Sequence, residues 1–516
     1  MLIQKIANDK KSKDTFYSIV KIILTVGVII NFWIFARFTV DDAFITWRYG
    51  KNLVLHGIWN YNPSSFDMTQ AYTNPIYAFL SIIPAYLRVD TVLFFKIISL
   101  IIVFLFAFYY TRKVEQGIII LLVAFVLPQT MIHVFSGIET FLFIALLTML
   151  LISIYEESLR WTIVASAFLF YTRPESWTLL LIVPLVYCNW QSINFVTAKS
   201  IKIFFILLLL LLPNLIISYF NFNNILPNTF FVKSSSVFSF GQLMKYGMTL
   251  LPLIMACKYI HLRKNIPIIF FFLFIIVQYS KSSLSMDYNL RFLYHVFFPI
   301  VLFVFYLMGK DNNSDIKIYD TETGKSISFK YKNMCKVVIF VLLIIFLRGE
   351  SISSLAHISN YYYRALSSHA DAGKVINDVK GKYNIRSISC GDAGMLAFHA
   401  NVDSLDLLEL GSAVLTHNGI NEAYSLYKPD VLFLHGSKGR LWTGSEYHFE
   451  YVRDISQYEN IGKLTWKRDY YLWVYANNAI PELKDIFKNS YNKNYKRDRE
   501  ILLEHIFLPP WSQWHE

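Results

Sequence analysis

Long apolar runs separated by short polar segments dominate residues 1–348 of the chain. An α-helix needs about 20 apolar residues to cross a bilayer, and most of the runs approach that length. We therefore predict about eleven membrane-spanning helices, of which the spans near 161–172 and 177–189 are short. The predicted spans are 17–38, 91–111, 117–134, 139–155, 161–172, 177–189, 201–220, 242–257, 266–279, 290–308 and 334–348.

The polar segment between the first two spans, residues 39–90, opens with two adjacent carboxylates, Asp41 and Asp42. We call it the first polar segment. Acids beside a membrane span are costly to desolvate and are therefore rarely accidental. Residues 73–88 within it are apolar, but Pro75 at their start and Pro84 inside them favour a helix on the membrane surface over a span.

The basic residues of the connections predict the orientation. No small-residue cleavage site follows the first span, so we predict an uncleaved helix with a cytoplasmic N-terminus. Alternate loops then carry the basic residues on the cytoplasmic side, as the positive-inside rule requires, and the odd number of spans places the C-terminus outside. These residues are Arg112, Lys113, Arg160, Lys199, Lys202, Lys258, Arg263, Lys264 and several from Lys310 to Lys336.

Residues 349–516, which we call the C-terminal region, have the composition of a soluble domain. The runs 385–390, 431–436 and 470–475 are typical of strands, and 372–383 and 421–428 are typical of helices. This alternation predicts a small α/β domain outside the membrane. The polar loop 311–333 is predicted as a linker or a small hairpin.

Composition supports the membrane class. Of 516 residues, 55% are hydrophobic and only 16% are charged, which is too apolar for a soluble protein of this size. The net charge of +12 does not indicate nucleic-acid binding, because the basic residues lie mostly in short loops between apolar runs. The four cysteines form no disulfide framework and no metal-ligand spacing.

The acidic pair allows two interpretations from its residues alone. Asp41 and Asp42 precede an amphipathic helix predicted over 43–53, where acids favour the positive end of the helix dipole. They then act only as helix caps at a membrane surface, with Arg48 as a partner. The alternative is a catalytic role, and the motifs elsewhere in the chain favour it.

Seven motifs, taken in order, resemble those of C-type (GT-C) membrane glycosyltransferases that use polyprenyl-phosphate sugars. The most similar branch is that of the mycobacterial terminal arabinofuranosyltransferases and their bacterial relatives. Lipid A aminoarabinose transferases and protein O-mannosyltransferases are more distant. The resemblance covers most of the chain. The motifs are DDAFITWRYGKNL, QAYTNP, SGIET, TRPES, PNTFFVKSS, RFLYHVFFP and GDAGMLAF.

The resemblance implies that Asp41, the first acid of the pair, is the general base and that Asp42 supports it. The chemistry is reasonable, because a glycosyl phosphate already carries a good leaving group and an inverting transferase mainly needs one carboxylate and cations for the phosphate. The chain departs from the family pattern at Gln70 and Ala71, where many relatives have Glu-Gly. This departure puts a second loop carboxylate and the identity of the donor sugar in doubt.

Outward-facing cations predict a phosphate site. The candidates are Arg173, Lys233 and Arg291, and the alternative for each is an interfacial cation that reaches lipid headgroups. Glu139 and Glu175 are candidates for binding acceptor hydroxyls, and the alternative is a structural ion pair with Arg173. Three residues of the first polar segment complete the predicted substrate-binding set: Arg48, Tyr72 and Asn74.

No protein-held metal or other cofactor is expected. His133 and His295 have no spacing that specifies a metal, although a divalent cation on the donor phosphate is left open. The sequence 391–398, GDAGMLAF, follows a strand but lacks the glycine spacing of a dinucleotide fingerprint.

The sequence therefore predicts a glycosyltransferase of the bacterial plasma (inner) membrane. It would move a monosaccharide from a polyprenyl-phosphate donor to an envelope glycan, glycolipid or glycoprotein, with the C-terminal region helping to bind the acceptor. A carrier that moves a lipid or sugar without chemistry is the alternative. A carrier is expected to show paired repeats and polar groups at mid-membrane, whereas here the polar groups cluster at the outer rim. A scaffold descended from the enzyme is the third interpretation.

Overall fold

The computed structural model describes residues 10–190, 195–234, 238–256, 262–282, 287–310, 315–319, 326–330, 336, 338–341, 367–437, 440–441, 457–467 and 470–477. Most of these residues are helical, and a small mixed sheet forms near the C-terminus. The predicted span 334–348 lies largely outside the described residues, as do Cys257 and Cys335.

Many of the N-terminal helices are short. Within the described residues, 3-10 turns lie among them at Pro174–Thr178, Met248–Leu250 and Tyr288–Leu290. The helices are α1 (Lys10–Phe35), α2 (Asp41–His56), α3 (Pro75–Leu80), α4 (Ile82–Leu87), α5 (Thr91–Lys113), α6 (Gly117–Val126), α7 (Pro128–Phe135), α8 (Thr140–Tyr155), α9 (Leu159–Phe170), α10 (Leu179–Val186), α11 (Ala198–Phe222), α12 (Asn228–Lys233), α13 (Phe240–Gly247), α14 (Leu251–Ala256), α15 (Leu262–Ser280) and α16 (Arg291–Lys310).

Four helices in the described part of the chain are long and apolar enough to cross a membrane. Helices α6 and α7 bend by 85° at Pro128 and make a fifth candidate if they count as one span. These helices are compatible with a membrane location. Other predicted spans, such as 161–172 and 242–257, fold as shorter helices, so the number eleven stays a prediction. The four candidates are Thr15–Phe35, Thr91–Lys113, Ala198–Phe222 and Arg291–Lys310.

Burial differs sharply between these candidates. Only 6% of the apolar window of Thr15–Phe35 is buried, whereas 89% of that of Arg291–Lys310 is buried. Helix α16 is therefore the centre of the helical core, and it packs against α8. The exposed apolar side chains of α1 are those that a lipid phase would cover.

The predicted surface segment 73–88 folds as the two six-residue helices α3 and α4. Asn74 caps the first, because its side chain accepts a hydrogen bond from the backbone N–H of Tyr77. Neither helix alone has the length of a span.

The polar loop 311–333 contains a two-stranded hairpin. Its strands are β1 (Asp315–Tyr319) and β2 (Ser326–Lys330), which pair antiparallel. The hairpin interpretation is confirmed for these residues.

The C-terminal region forms a mixed sheet with helices beside it. Its elements are α17 (Ser367–Tyr383), β3 (Ser387–Cys390), α18 (Met395–Ala400), β4 (Asp403–Asp406), α19 (Ala413–Asn418), α20 (Ile420–Tyr427), β5 (Val431–Ser437), β6 (Arg440–Leu441), β7 (Tyr458–Lys467) and β8 (Tyr470–Asn477). The strand order is β4-β3-β5-β8-β7. Strand β3 pairs in parallel with β4 and β5, and β8 runs antiparallel to β5 and β7. The short strand β6 pairs antiparallel with the last two residues of β5.

The sequence patterns of the C-terminal region are confirmed here. The three predicted strands correspond to β3, β5 and β8, and the two predicted helices correspond to α17 and α20. Short apolar runs between turns therefore suffice to locate the main strands of this sheet.

The first polar segment and the C-terminal region share one hydrophobic core. Tyr49 and Tyr61 belong to the same buried cluster as Ile388 and Leu396. At the contact between α2 and α18, a Cβ added to Gly394 would lie 2.1 Å from the backbone oxygen of Asp41. Only glycine permits this approach. The start of α2 is thus fixed against the C-terminal region.

Candidate functional site

A cavity of about 420 Å³ lies between the first polar segment, the 3-10 turn at Pro174–Thr178, helix α12 and the start of α16. Its wall combines aromatic and aliphatic side chains with four cations and three carboxylates. Ligand sites commonly have this composition, with a few convergent polar groups in an apolar wall.

Seven of the ten residues predicted for the site line this cavity, although they come from distant parts of the sequence. Asp41, Arg48 and Asn74 are not in its wall. The seven are Asp42, Tyr72, Glu139, Arg173, Glu175, Lys233 and Arg291.

Asp42 is the member of the acidic pair that faces the cavity. Its side chain is 17% exposed, and its Oδ2 lies 4.0 Å from the Arg291 guanidinium. Successive residues of an α-helix point about 100° apart, so in the first turn of α2 only one of the two acids can face the cavity. The result is a carboxylate at the cavity wall with a cation nearby.

Asp41 points instead to the C-terminal region. Its carboxylate accepts hydrogen bonds from the backbone N–H groups of Gly394 and Met395, each at 2.8 Å. Burial and the neighbouring Asp392 carboxylate raise the pKa of Asp41 to about 7, against the opposing effect of His369. The prediction of Asp41 as base has no support in this geometry, because both carboxylate oxygens face backbone donors away from the cavity.

Beneath Asp41 lies a buried group of ionisable side chains. Asp392 Oδ2 lies 3.1 Å from Nε2 of His369 and 3.6 Å from Nε2 of His435. Burial acts against the charge of Asp392, but the two histidines outweigh it and hold its pKa below the ordinary value. This group places the charge of Asp392 close enough to Asp41 to oppose ionisation of Asp41.

Arg291 and Lys233 have fewer carboxylate partners among the described residues than Arg173 has. The Nε of Arg291 is buried and has no hydrogen-bond partner among the described residues. Its guanidinium lies over the rings of Phe292, at 4.6 Å, and Tyr288, at 5.3 Å. Lys233 forms no ion pair within the described part of the chain, and burial lowers its pKa against the opposing effect of Asp42. Both side chains therefore retain donors for an anion.

Arg173 is held by two carboxylates. It lies 2.9 Å from Glu139 Oε1 and 2.7 Å from Glu175 Oε1, and its Nε also donates to Glu175. Burial opposes the charge of Arg173, but Glu175 and Glu139 outweigh it and raise its pKa. Asn74 donates to the other oxygen of Glu139 at 3.1 Å. This arrangement corresponds to the structural ion pair that the sequence left open.

Arg48 lies away from the cavity. It is buried and donates to the backbone oxygen of Val402, and its guanidinium lies 4.5 Å from the ring of Tyr61. Its contacts therefore join α2 to the C-terminal region and do not reach a substrate in the cavity.

Several lining residues are not evident from the sequence. Leu410 comes from the turn after β4, more than 300 residues from Asp42, and nothing in its local sequence marks it. Gln278 and Tyr279 end an apolar helix, and their local pattern indicates only part of a span. Lys281 follows the end of this helix at Ser280. Its positive charge, near Arg291 in the sequence, is the one sequence signal that could have indicated its place in the cavity wall.

The histidines predicted not to bind metal pack among aromatic rings. His133 lies 4.7 Å from the ring of Tyr294, and His295 Nδ1 lies 3.3 Å from the Tyr279 hydroxyl. The described residues contain no group of three or more His, Cys, Asp or Glu side chains placed to hold a metal ion.

Comparison of the chain with protein-family models, curated proteins and solved structures found no match. The chemistry of the cavity is therefore argued from its own residues.

Proposed function

We propose that this protein is a membrane glycosyltransferase that moves a monosaccharide from a polyprenyl-phosphate donor to a hydroxyl of a cell-envelope glycan, glycolipid or glycoprotein. One observation carries the proposal: Asp42, Arg291 and Lys233 meet at one cavity, and neither cation has a carboxylate within hydrogen-bond distance among the described residues. A carboxylate beside two available cations suits a reaction that needs a base and a site for a departing phosphate.

The proposed reaction uses Asp42 as the base. The acceptor hydroxyl attacks the anomeric carbon, and a new C–O bond forms as the bond from that carbon to the phosphate oxygen breaks. Asp42 takes the proton of the hydroxyl. The polyprenyl phosphate leaves with the electron pair of the broken bond, and Arg291 and Lys233 stabilise its charge. One base and no covalent intermediate suffice, which predicts inversion at the anomeric carbon.

The remaining polar groups of the cavity suit sugar recognition. Glu139 and Glu175 keep acceptor lone pairs beyond their bonds to Arg173, and Trp177 and Tyr72 offer rings against which a sugar can pack. The finer architecture belongs to the same proposal. In it, about eleven spans with a GT-C-like arrangement place the cavity and the C-terminal region outside the bacterial plasma membrane.

The first test is transfer by the purified protein in lipid. Radiolabelled polyprenyl-phosphate sugars and the host's envelope extract are supplied to wild type, Asp42→Asn and, as matched control, Asp41→Asn. We expect Asp42→Asn to lower transfer by about 10²-fold or more with donor binding retained, because general-base catalysis contributes about 10²–10⁴-fold. Asp41→Asn is expected to keep measurable transfer in the fraction that folds.

Each contrary result has a distinct meaning. Undiminished transfer by Asp42→Asn, together with loss in Asp41→Asn without loss of folding, would return the role of base to Asp41. A wild-type protein that binds donors but never transfers their sugar would favour the carrier.

A further inference from the structure

The C-terminal region reaches the cavity through the turn between β4 and α19. Leu410, in this turn, is the one lining residue that comes from the C-terminal region as described. The same turn contacts helix α12, which carries Lys233 at its last position. The turn therefore touches both the cavity and the element that supplies one of its cations.

Asn228, the first residue of α12, fastens that helix to the turn. Its side-chain nitrogen donates to the backbone oxygen of Glu409 at 2.7 Å and to the hydroxyl of Thr416 at 3.0 Å. Its backbone N–H donates to the oxygen of Gln70 at 2.8 Å. One buried residue thus ties α12 to the C-terminal region and to the first polar segment.

A second contact supports the same docking. The ring of Phe231 meets that of His417 edge to face, with 5.6 Å between their centroids. Helix α12 is only six residues long, too short to hold its place by its own hydrogen bonds. Its position, and hence that of Lys233, depends on what it is docked against.

The turn itself is rigidly held. Asp406 accepts hydrogen bonds from the backbone N–H groups of Leu408, at 2.9 Å, and Gly411, at 2.8 Å. Asp67 of the first polar segment accepts from the Ser412 hydroxyl at 2.8 Å. Because the turn is fixed and α12 is docked against it, the position of the turn determines the position of α12.

We propose that Asn228 is a positioning residue through which the C-terminal region sets the place of Lys233 and so takes part in recognising the donor phosphate. The proposal rests on the proposed function and gives the C-terminal region a task beyond acceptor binding. Asn228 does not line the cavity and acts through Lys233.

The test is a double-mutant cycle on binding of a polyprenyl monophosphate without sugar, measured on the full-length protein in lipid nanodiscs. The variants are Asn228→Ala, Lys233→Ala and their combination. The control is Asn418→Ala, which removes an exposed hydrogen bond to Glu422 in the same region. We expect Lys233→Ala to weaken binding about tenfold, Asn228→Ala to weaken it severalfold, and the control to leave it unchanged.

The combination is expected to bind no more weakly than Lys233→Ala alone, because residues that act as a unit are not additive. Losses that multiply, or unchanged binding in Asn228→Ala, would overturn the proposal while leaving the proposed function standing. A wild type that binds no polyprenyl phosphate would overturn the proposed function first. If Asn228→Ala fails to fold, Thr416→Val tests the same contact from its other side and is expected to shift binding in the same direction.

Discussion

At the scale of single residues, the cations of the cavity differ in how closely they are paired with carboxylates. Arg173 has two carboxylates within 3 Å, whereas Arg291 has one at 4.0 Å and a buried Nε with no partner among the described residues. A guanidinium that is already saturated gains little from a phosphate. Arg291 and Lys233 are therefore the side chains to which we assign anion binding.

This difference predicts opposite effects of two similar substitutions. Arg173→Ala leaves Glu139 and Glu175 buried without their cation, and breaking a buried ion pair costs about 3–5 kcal/mol of stability. Arg291→Ala is expected to cost clearly less stability but to weaken polyprenyl-phosphate binding about tenfold or more. Thermal unfolding in detergent and the nanodisc binding measurement separate the two effects. If Arg173→Ala and Arg291→Ala lost the same stability and bound polyprenyl phosphate equally well, the assignment of anion binding to Arg291 would be contradicted.

At the scale of elements, the start of α2 is held by the C-terminal region. Asp41 accepts hydrogen bonds from two backbone N–H groups at the start of α18, and this contact fixes the turn from which Asp42 faces the cavity. Both acids lie in the first turn of α2, where the helix dipole favours them, but neither caps the helix, because its N-cap residue is Val40 and no side-chain cap hydrogen bond forms there. One acid docks the helix and the other faces the cavity.

The burial of Asp41 beside Asp392 predicts a pH dependence of stability. The pKa of Asp41 is raised from 3.8 to about 7 in the folded protein. Between pH 3.8 and pH 7, Asp41 is therefore protonated in the folded protein but ionised in the unfolded chain. The contribution of Asp41 to stability is then greatest below about pH 4 and falls as the pH rises toward 7. Between about pH 5 and pH 7.5 the unfolding midpoint of wild type should fall more than that of Asp41→Asn. Asp406, whose pKa is raised in the same direction, is present in both proteins. Parallel pH profiles would show that Asp41 does not titrate in this range.

Secondary structure is predictable from the sequence where the pattern is local. The strands β3, β5 and β8 follow from short apolar runs between turns, and α2 follows from acids before an amphipathic stretch. The long spans are less predictable, because proline breaks such as Pro128 bend an apolar run that by composition alone looks continuous.

At the scale of the whole molecule, the site joins segments that are far apart in sequence. The sequence motifs are sufficient to mark Asp42, Arg173, Lys233 and Arg291 as candidates, because charges beside apolar runs are unusual. They do not mark Leu410, and the motif that contains Asn228 does not indicate the role of this residue. Both roles depend on which turn meets which helix. The choice between Asp41 and Asp42 likewise depends on the direction in which α2 faces, and that direction is set by Gly394 in a distant region.

The most direct measurement of the central claim is a cryo-EM map of the wild-type protein in nanodiscs with a polyprenyl monophosphate bound. We predict phosphate density in the cavity within about 3 Å of the Arg291 guanidinium and the Lys233 ammonium, with Asp42 facing it and Asp41 still bonded to Gly394 and Met395. Phosphate density elsewhere, or density in the cavity that leaves both cations unengaged, would contradict the assignment of this cavity as the donor site.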